Sequence, residues 1–271
     1  MGQHMTLLHR STPAAAGYQP IVTQDNSPVK LIEFGLVTLN NGGHWIAHSS
    51  DQETVLMILG GRCSVRCRQA QWAELGQRKN VFDGKATAVY LPPGEECEVT
   101  GLGPVEIAVC RAPADSGPPP TVVLPAQVQV RDVGADNWRR DVNNVVVHQV
   151  EANKLLIGET YNPPGNWSSY PPHKHDVDEL PDESKLEEVY HYRLDPPQGF
   201  GLQRLYSADG SLDETLTIQD RDSVAIPYGY HPIVAAPGYE LYYLWILSGE
   251  TRVMSPRDDP EHTWMKSGPR D

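Results

Sequence analysis

No long window of this 271-residue chain sustains a helical period; it breaks instead into short β-branched and aromatic runs, punctuated by 24 prolines and 23 glycines. That pattern predicts an all-β protein. The runs at 31–39, 54–59, 62–68, 86–91 and 105–110 read as one group of strands. Those at 127–133, 145–148, 155–161, 188–194, 201–206, 223–226 and 241–247 read as a second. Between the groups, the proline-rich passage 111–120 reads as a linker. The expected organisation is a first unit over 1–112, a linker over 113–126 and a second unit over 127–271. Residues 1–28 are polar and proline-spotted, and are expected to form an irregular arm. The opening Met1-Gly2-Gln3-His4 reads as an added leader, and His4 is given no role.

The two halves match each other residue by residue. Gly43-His44-Trp45 parallels Gly165-Asn166-Trp167, and Glu53-Thr54-Val55 is set against Glu188-Val189-Tyr190. Val89-Tyr90-Leu91-Pro92-Pro93-Gly94-Glu95-Glu96 parallels Val224-Ala225-Ile226-Pro227-Tyr228-Gly229-Tyr230-His231. Two jelly-roll barrels account for such a repeat. In this register Glu96 replaces His231, and nothing replaces His173 and His175.

The chemistry is concentrated in Tyr170-Pro171-Pro172-His173-Lys174-His175-Asp176. Histidines two apart on extended backbone share a face, so both imidazoles can reach one metal ion. Further ligands are expected from Glu188, which opens a strand, and from His231, which follows a Pro-x-Gly turn. Glu188 is preferred to Glu187 because the strand is read as starting there. His44, His48 and His148 are read as surface or packing residues. His191 lies on the strand face opposite Glu188 and is read as structural. The acidic stretch 176–187 lacks calcium-loop spacing and reads as a solvated lid. Cys63, Cys67, Cys97 and Cys110 contain no CxxC and read as small core residues rather than as a disulfide or zinc framework.

With a formal net charge of −13 and a sequence pI of 5.2, the chain is a poor partner for nucleic acid or an anionic membrane. An anionic substrate would need a local Arg or Lys. No stretch approaches the length of an apolar membrane span, and a cytoplasmic protein is expected. Edge strands and the N-terminal arm leave room for a homo-oligomer.

Gly165, His173, His175, Glu188, Pro227, Gly229 and His231 together resemble the cupin pattern of a glycine, HxH, a glutamate and a later Pro-x-Gly turn with a third histidine. More narrowly, the chain is similar to the 5-deoxy-glucuronate isomerases of bacterial myo-inositol catabolism. The blocks that carry this are 166–176, 186–190, 196–200, 229–232 and 241–244, with 81–84, 92–94 and 259–264 outside the second unit's core. The resemblance implies a bicupin that keeps one divalent metal in its second barrel, zinc first, with manganese or iron fitting the same donors. It also implies conversion of 5-deoxy-D-glucuronate to 5-dehydro-2-deoxy-D-gluconate, a sugar acid isomerised from aldose to ketose. Glu188, Tyr190 and Tyr192 face the expected site and are candidates for proton transfer. Arg204 is the expected carboxylate clamp, with Gln203 in its place if the register shifts by one, and Lys174 a further candidate. A 5-keto-4-deoxyuronate isomerase, an iron-dependent cupin dioxygenase and a non-catalytic sugar-binding cupin remain as alternatives.

Overall fold

In the computed structural model, residues 5–10, 12 and 15–267 are described. His4 lies outside them. Strands dominate, and the helical elements among the described residues are short 3-10 turns, Pro125–Gln127, Asp136–Trp138 and Thr263–Ser267. None of them is long and apolar enough to cross a membrane.

Two large antiparallel sheets organise the chain. The six-stranded one runs, in spatial order, Thr121–Val123, Thr87–Leu91, Gln52–Gly60, Val105–Pro113, Glu33–Leu39, Gly17–Val22. The seven-stranded one runs Leu8–His9, Ser223–Ile226, Glu187–Asp195, Glu240–Ser248, Leu155–Asn162, Arg140–Val146, Gln129–Val133. Their facing sides share one core, in which Val55, Met57 and Phe34 meet Leu155, Val189 and Ile246. On its far side each large sheet packs against a four-stranded sheet, closing a barrel. Leu56 and Ile58 fill the first barrel, and Leu241, Tyr243 and Trp245 the second. The architecture is two cupin-type jelly-roll barrels set back to back. Central strands are therefore buried on both faces, and 54–59 and 241–247 read as continuous apolar runs instead of alternating ones.

The described strands depart from the expected unit boundaries in two places. Leu8–His9 crosses to the second barrel and pairs with Ser223–Ile226. Thr121–Val123, inside the passage read as a linker, pairs with Thr87–Leu91 and completes the first barrel's sheet. The cysteine expectation also needs correction. Cys67 and Cys97 sit directly opposite each other on neighbouring strands and are joined by a disulfide. Cys63 and Cys110 are buried free thiols, and burial pushes the Cys63 thiol up to about 12.

The repeat holds, but shifted by one residue in one block. Thr54 pairs with Leu91, and Glu188 pairs with Ile226, at equivalent points of the two barrels. The counterpart of Glu188 is thus Thr54, and the counterpart of Glu53 is Glu187. Their roles agree with this. The Glu53 carboxylate accepts the backbone N–H groups of Asn153, Lys154 and Leu155 at 2.7, 2.7 and 2.6 Å, and the Tyr90 hydroxyl at 2.9 Å. Glu187 accepts Lys30 and Leu31 N–H, both at 2.7 Å. Each barrel thus lends one carboxylate to loose backbone of the other.

A buried pair also bridges the barrels. Arg78 donates to Glu159 at 2.6 Å, and Tyr242 donates to the same oxygen at 2.8 Å. Burial disfavours the Arg78 charge, but the Glu159 carboxylate outweighs it and raises the guanidinium above its ordinary range.

Truncating Glu53 to Ala would strand three backbone donors away from water. Equilibrium denaturation of Glu53→Ala is expected to show a loss of about 3 kcal/mol; a change under 0.5 kcal/mol would mean that this clasp contributes little.

Candidate metal centre

His173 and Lys174 form a two-residue strand paired with Arg257 and Asp258. The chain's last segment thus returns to fasten the HxH stretch, and Asp259 N–H donates to the Pro172 carbonyl at 2.7 Å. Alternation turns Lys174 away from its neighbours, onto Glu183 at 2.7 Å and toward Asp176 at 3.5 Å. Glu183 is fully buried and also accepts Asp176 N–H at 2.6 Å. The stretch 176–187 is therefore pinned from inside, not free as a lid would be.

The Pro-x-Gly turn delivers His231. Gly229 has φ +90°, and a Cβ there would lie 2.7 Å from the Tyr206 carbonyl oxygen, so only glycine fits. Its N–H donates to Asp176 at 2.7 Å, tying this turn to the HxH loop. Glu188, the second residue of Glu187–Asp195, points into the barrel. One of its oxygens stands 3.2 Å from His175 Nε2 and 3.2 Å from His231 Nε2.

The opposite ring nitrogens settle the tautomers. His175 Nδ1 lies 2.5 Å from the Leu186 carbonyl and His231 Nδ1 lies 2.9 Å from the Gly229 carbonyl. A carbonyl only accepts, so each Nδ1 carries a hydrogen, and in the neutral ring each Nε2 then presents a lone pair. Two lone pairs and a carboxylate oxygen thus converge in a buried place, their ligand atoms all within 4.8 Å of one another. Among the described residues, His231 Nε2 is buried without a hydrogen-bond partner. Such a cluster of acceptors repels itself unless a cation or a proton lies between them. The His173 ring stands beside it, 4.8 Å from the His231 ring and 6.4 Å from that of His175. Two imidazoles and one carboxylate, with a third imidazole alongside, are donors of the kind a divalent metal ion takes.

The charges respond as this geometry requires. Burial works against the His175 cation, yet its hydrogen bond to Glu188 and that carboxylate's charge raise it above the ordinary imidazole range. Burial likewise opposes the Glu188 anion, but His175 and His231 hold it down to about 2. His173 is driven well below the ordinary value, first by burial and then by its two neighbouring imidazoles.

A cavity of about 160 Å³ opens onto His173, His175 and Glu188, with Tyr190, Tyr243 and Trp245 among its walls. Tyr190 meets Ser169 Oγ at 2.9 Å. Tyr192, by contrast, lies behind the wall and donates to Gln203 at 2.6 Å. Burial, reinforced by Glu188, raises both phenols well above their ordinary range.

The expected carboxylate clamp is not in the cavity. Along Gly201–Tyr206, Gln203 faces inward and is fully buried, while Arg204 faces out and makes two bonds to Asp213, at 2.8 and 3.0 Å. Period-two alternation decides this, and the expectation was one residue out of phase. Lys174 is committed to Glu183. The reading also missed Tyr243 and Trp245, which the same alternation along 240–248 would have found, and Arg140, which precedes the expected strand 145–148.

Among the described residues, the first barrel has no such set. Thr54 occupies the place of Glu188 and bonds to Ser49 at 3.2 Å, and Glu96, in the place of His231, is exposed beside His48 at 3.1 Å.

The family description KduI/IolB matches residues 7–265. The chain belongs to the KduI/IolB family. Within reach of this family, the 5-deoxy-glucuronate isomerase of Geobacillus thermodenitrificans is 38% identical over 260 residues, covering 96% of this chain and 95% of that one. The crystal structure of an IolB-like protein from Salmonella typhimurium LT2 superimposes with a TM-score of 0.92 at 34% identity, covering 96% and 99% of the two chains. The oxalate decarboxylase of Lactobacillus farciminis, with 12% identity and a TM-score of 0.68 over 99% and 92%, shares the fold alone. Members of KduI/IolB are thus the chain's kin, and the decarboxylase marks how widely the two-barrel frame is used.

Metal retention should fall with pH in a defined sense. Because the His175 cation is favoured above the ordinary imidazole value, a proton competes for its Nε2 as pH drops from about 7 toward 5, whereas Glu188 stays ionised until about 2. Dialysis followed by elemental analysis is expected to find near one divalent ion per chain at pH 7.5 and progressive loss across that window. Loss beginning only near pH 3 would point to carboxylate ligands alone.

Proposed function

We propose that this chain isomerises 5-deoxy-D-glucuronate to 5-dehydro-2-deoxy-D-gluconate in the cytoplasm, as a step of myo-inositol breakdown. The observation that carries this reading is the match, over nearly the whole of both chains, to a protein named 5-deoxy-glucuronate isomerase. The cavity supports it, being sized for a small open-chain acid and not for a polymer.

The reaction moves hydrogen within one molecule. The substrate's aldehyde carbon gains a hydrogen, the adjacent carbinol carbon loses one, and no oxidant or reductant is consumed. A divalent ion held by His173, His175, Glu188 and His231, zinc first and manganese or iron by the same donors, would supply Lewis-acid charge to the substrate oxygens. The remaining work falls to side chains. Tyr190 is kept protonated by burial and by Glu188, so it serves as a donor to an oxygen that gains negative charge, with Ser169 holding the hydroxyl in place. Glu188 lines the cavity, and we assign its second oxygen, turned from His175 and His231, to take and return the migrating proton. Tyr192 supports the wall through Gln203 and does not reach the substrate. The three apolar walls of Tyr243, Trp245 and Leu247 limit water around the exposed carbanion character.

Anaerobic incubation with 5-deoxy-D-glucuronate, followed by NMR, should yield the ketose acid. Metal and activity should fall together, activity by more than about 100-fold, in His173→Ala. Dependence on oxygen would overturn the isomerase in favour of a dioxygenase, and a preference for 5-keto-4-deoxyuronate would reassign the substrate. Tyr190→Phe is expected to keep its metal and lose about 100-fold in kcat; unchanged kcat would remove Tyr190 from the proton-transfer scheme.

A further inference from the structure

We infer that Arg140 receives the substrate's carboxylate, an assignment that rests on the isomerase reading above. The whole molecule is strongly acidic, with a formal net charge of −13, so its field opposes an anionic sugar. Capture must come from a cation facing the cavity. Two are available there, Arg131 and Arg140. Arg131 is exposed at the rim, whereas Arg140 is only 8% exposed. The cations expected from sequence are engaged elsewhere, Arg204 with Asp213 on the outer face and Lys174 with Glu183.

Arg140 is held for a task its own chain does not complete. Its Nη1 donates to the carbonyls of Trp138 at 3.1 Å and Tyr170 at 2.9 Å, which fix the plane of the guanidinium. Among the described residues, neither Nε nor Nη2 has a hydrogen-bond partner, and no carboxylate forms an ion pair with this side chain. Asp258, whose charge it feels, is bound to Lys266. Burying a cation without an anion is costly, and burial indeed lowers the Arg140 guanidinium from its ordinary range. A ligand that brings its own negative charge removes that cost. Of the described residues that line the cavity, Glu188 is the only acid, and it stands with the proposed metal donors.

Arg140 shares the cavity with the metal donors, as a substrate with two different ends requires. The substrate's carboxylate stands at the opposite end of a six-carbon chain from the aldehyde, so the anchor must share the cavity with the metal donors without being one of them. Arg140 opens the strand Arg140–Val146, three strands from Glu187–Asp195 in the same sheet, and its charge still reaches His173, Tyr190 and Tyr243. The two free donors form a fork that matches a carboxylate, which a lysine cannot offer. An acid end on Arg140 leaves the aldehyde end toward His173, His175 and Glu188.

The test compares the acid with its neutral carboxamide, which keeps the aldehyde and every hydroxyl. In Arg140→Gln, kcat/KM for the acid is expected to fall about 100-fold, mostly through KM, while the carboxamide changes less than about threefold and metal content is unchanged. The preference for the acid should thus collapse. Arg140→Lys, which keeps charge but not the fork, should lose about tenfold on the acid alone, and it decides the matter should the glutamine variant fail to fold. Arg204→Ala should match wild type. Equal losses on acid and carboxamide, or none on either, would overturn the clamp. Failure of wild type to convert the acid would instead strike the isomerase reading, and binding of the acid by calorimetry to wild type and Arg140→Gln would then judge the clamp separately, equal affinities overturning it.

Discussion

Two sheets stacked face to face bury the central strands of both barrels on each side, and most other features follow from that burial. A strand with no solvent face needs apolar residues at nearly every position, and any polar group it carries must find a partner inside. Glu53, Glu187 and the Arg78–Glu159 pair meet this demand by reaching across the interface. His191, on the same side, meets Ser223 at 2.9 Å and lies against Phe34 of the first barrel, as its strand face implied.

The donor cluster inherits its rigidity from the same arrangement. Glu187 and Glu188 are adjacent, and period-two geometry sends one to the interface and the other to the barrel interior. Pinning the first fixes the second. His231 is set by a glycine turn tied to Asp176, and His173 by the returning tail, so each donor is positioned by backbone rather than by its own side chain's freedom. A site built this way can tolerate the mutual repulsion of its lone pairs, which would open a looser one.

Much of this was legible in the chain. Both-face burial made 54–59 and 241–247 conspicuous, and the convergence of His175, Glu188 and His231 was legible because candidate metal donors are few in kind and regular in spacing. Gly17–Val22, in the stretch expected to be an irregular arm, is an edge strand of the six-stranded sheet, and others that escaped notice, such as His44–His48, Glu96–Gly101 and Asp213–Ile218, lie in the outer four-stranded sheets. With one face in water they mix charges and threonines into their pattern, and the period blurs. Arg204 was misplaced for a related reason, since a strand's phase follows from its neighbours in space and a one-residue error reverses its faces. The Cys67–Cys97 bond lay beyond reach until the pairing of 63–67 with 96–101 was known. Arg140 carried no signal at all. It precedes the apolar run, and only the Trp138 and Tyr170 carbonyls mark it as held in place.

The reciprocal placement of Glu53 and Glu187 bears on how such a chain can change over generations. Each carboxylate serves backbone encoded in the other half of the gene, so a barrel exchanged by recombination would arrive without the groups that finish it. The half without a donor cluster among its described residues is then not free to drift away or be deleted. It is inherited as a fitted counterpart, kept by the chemistry of the half it does not perform.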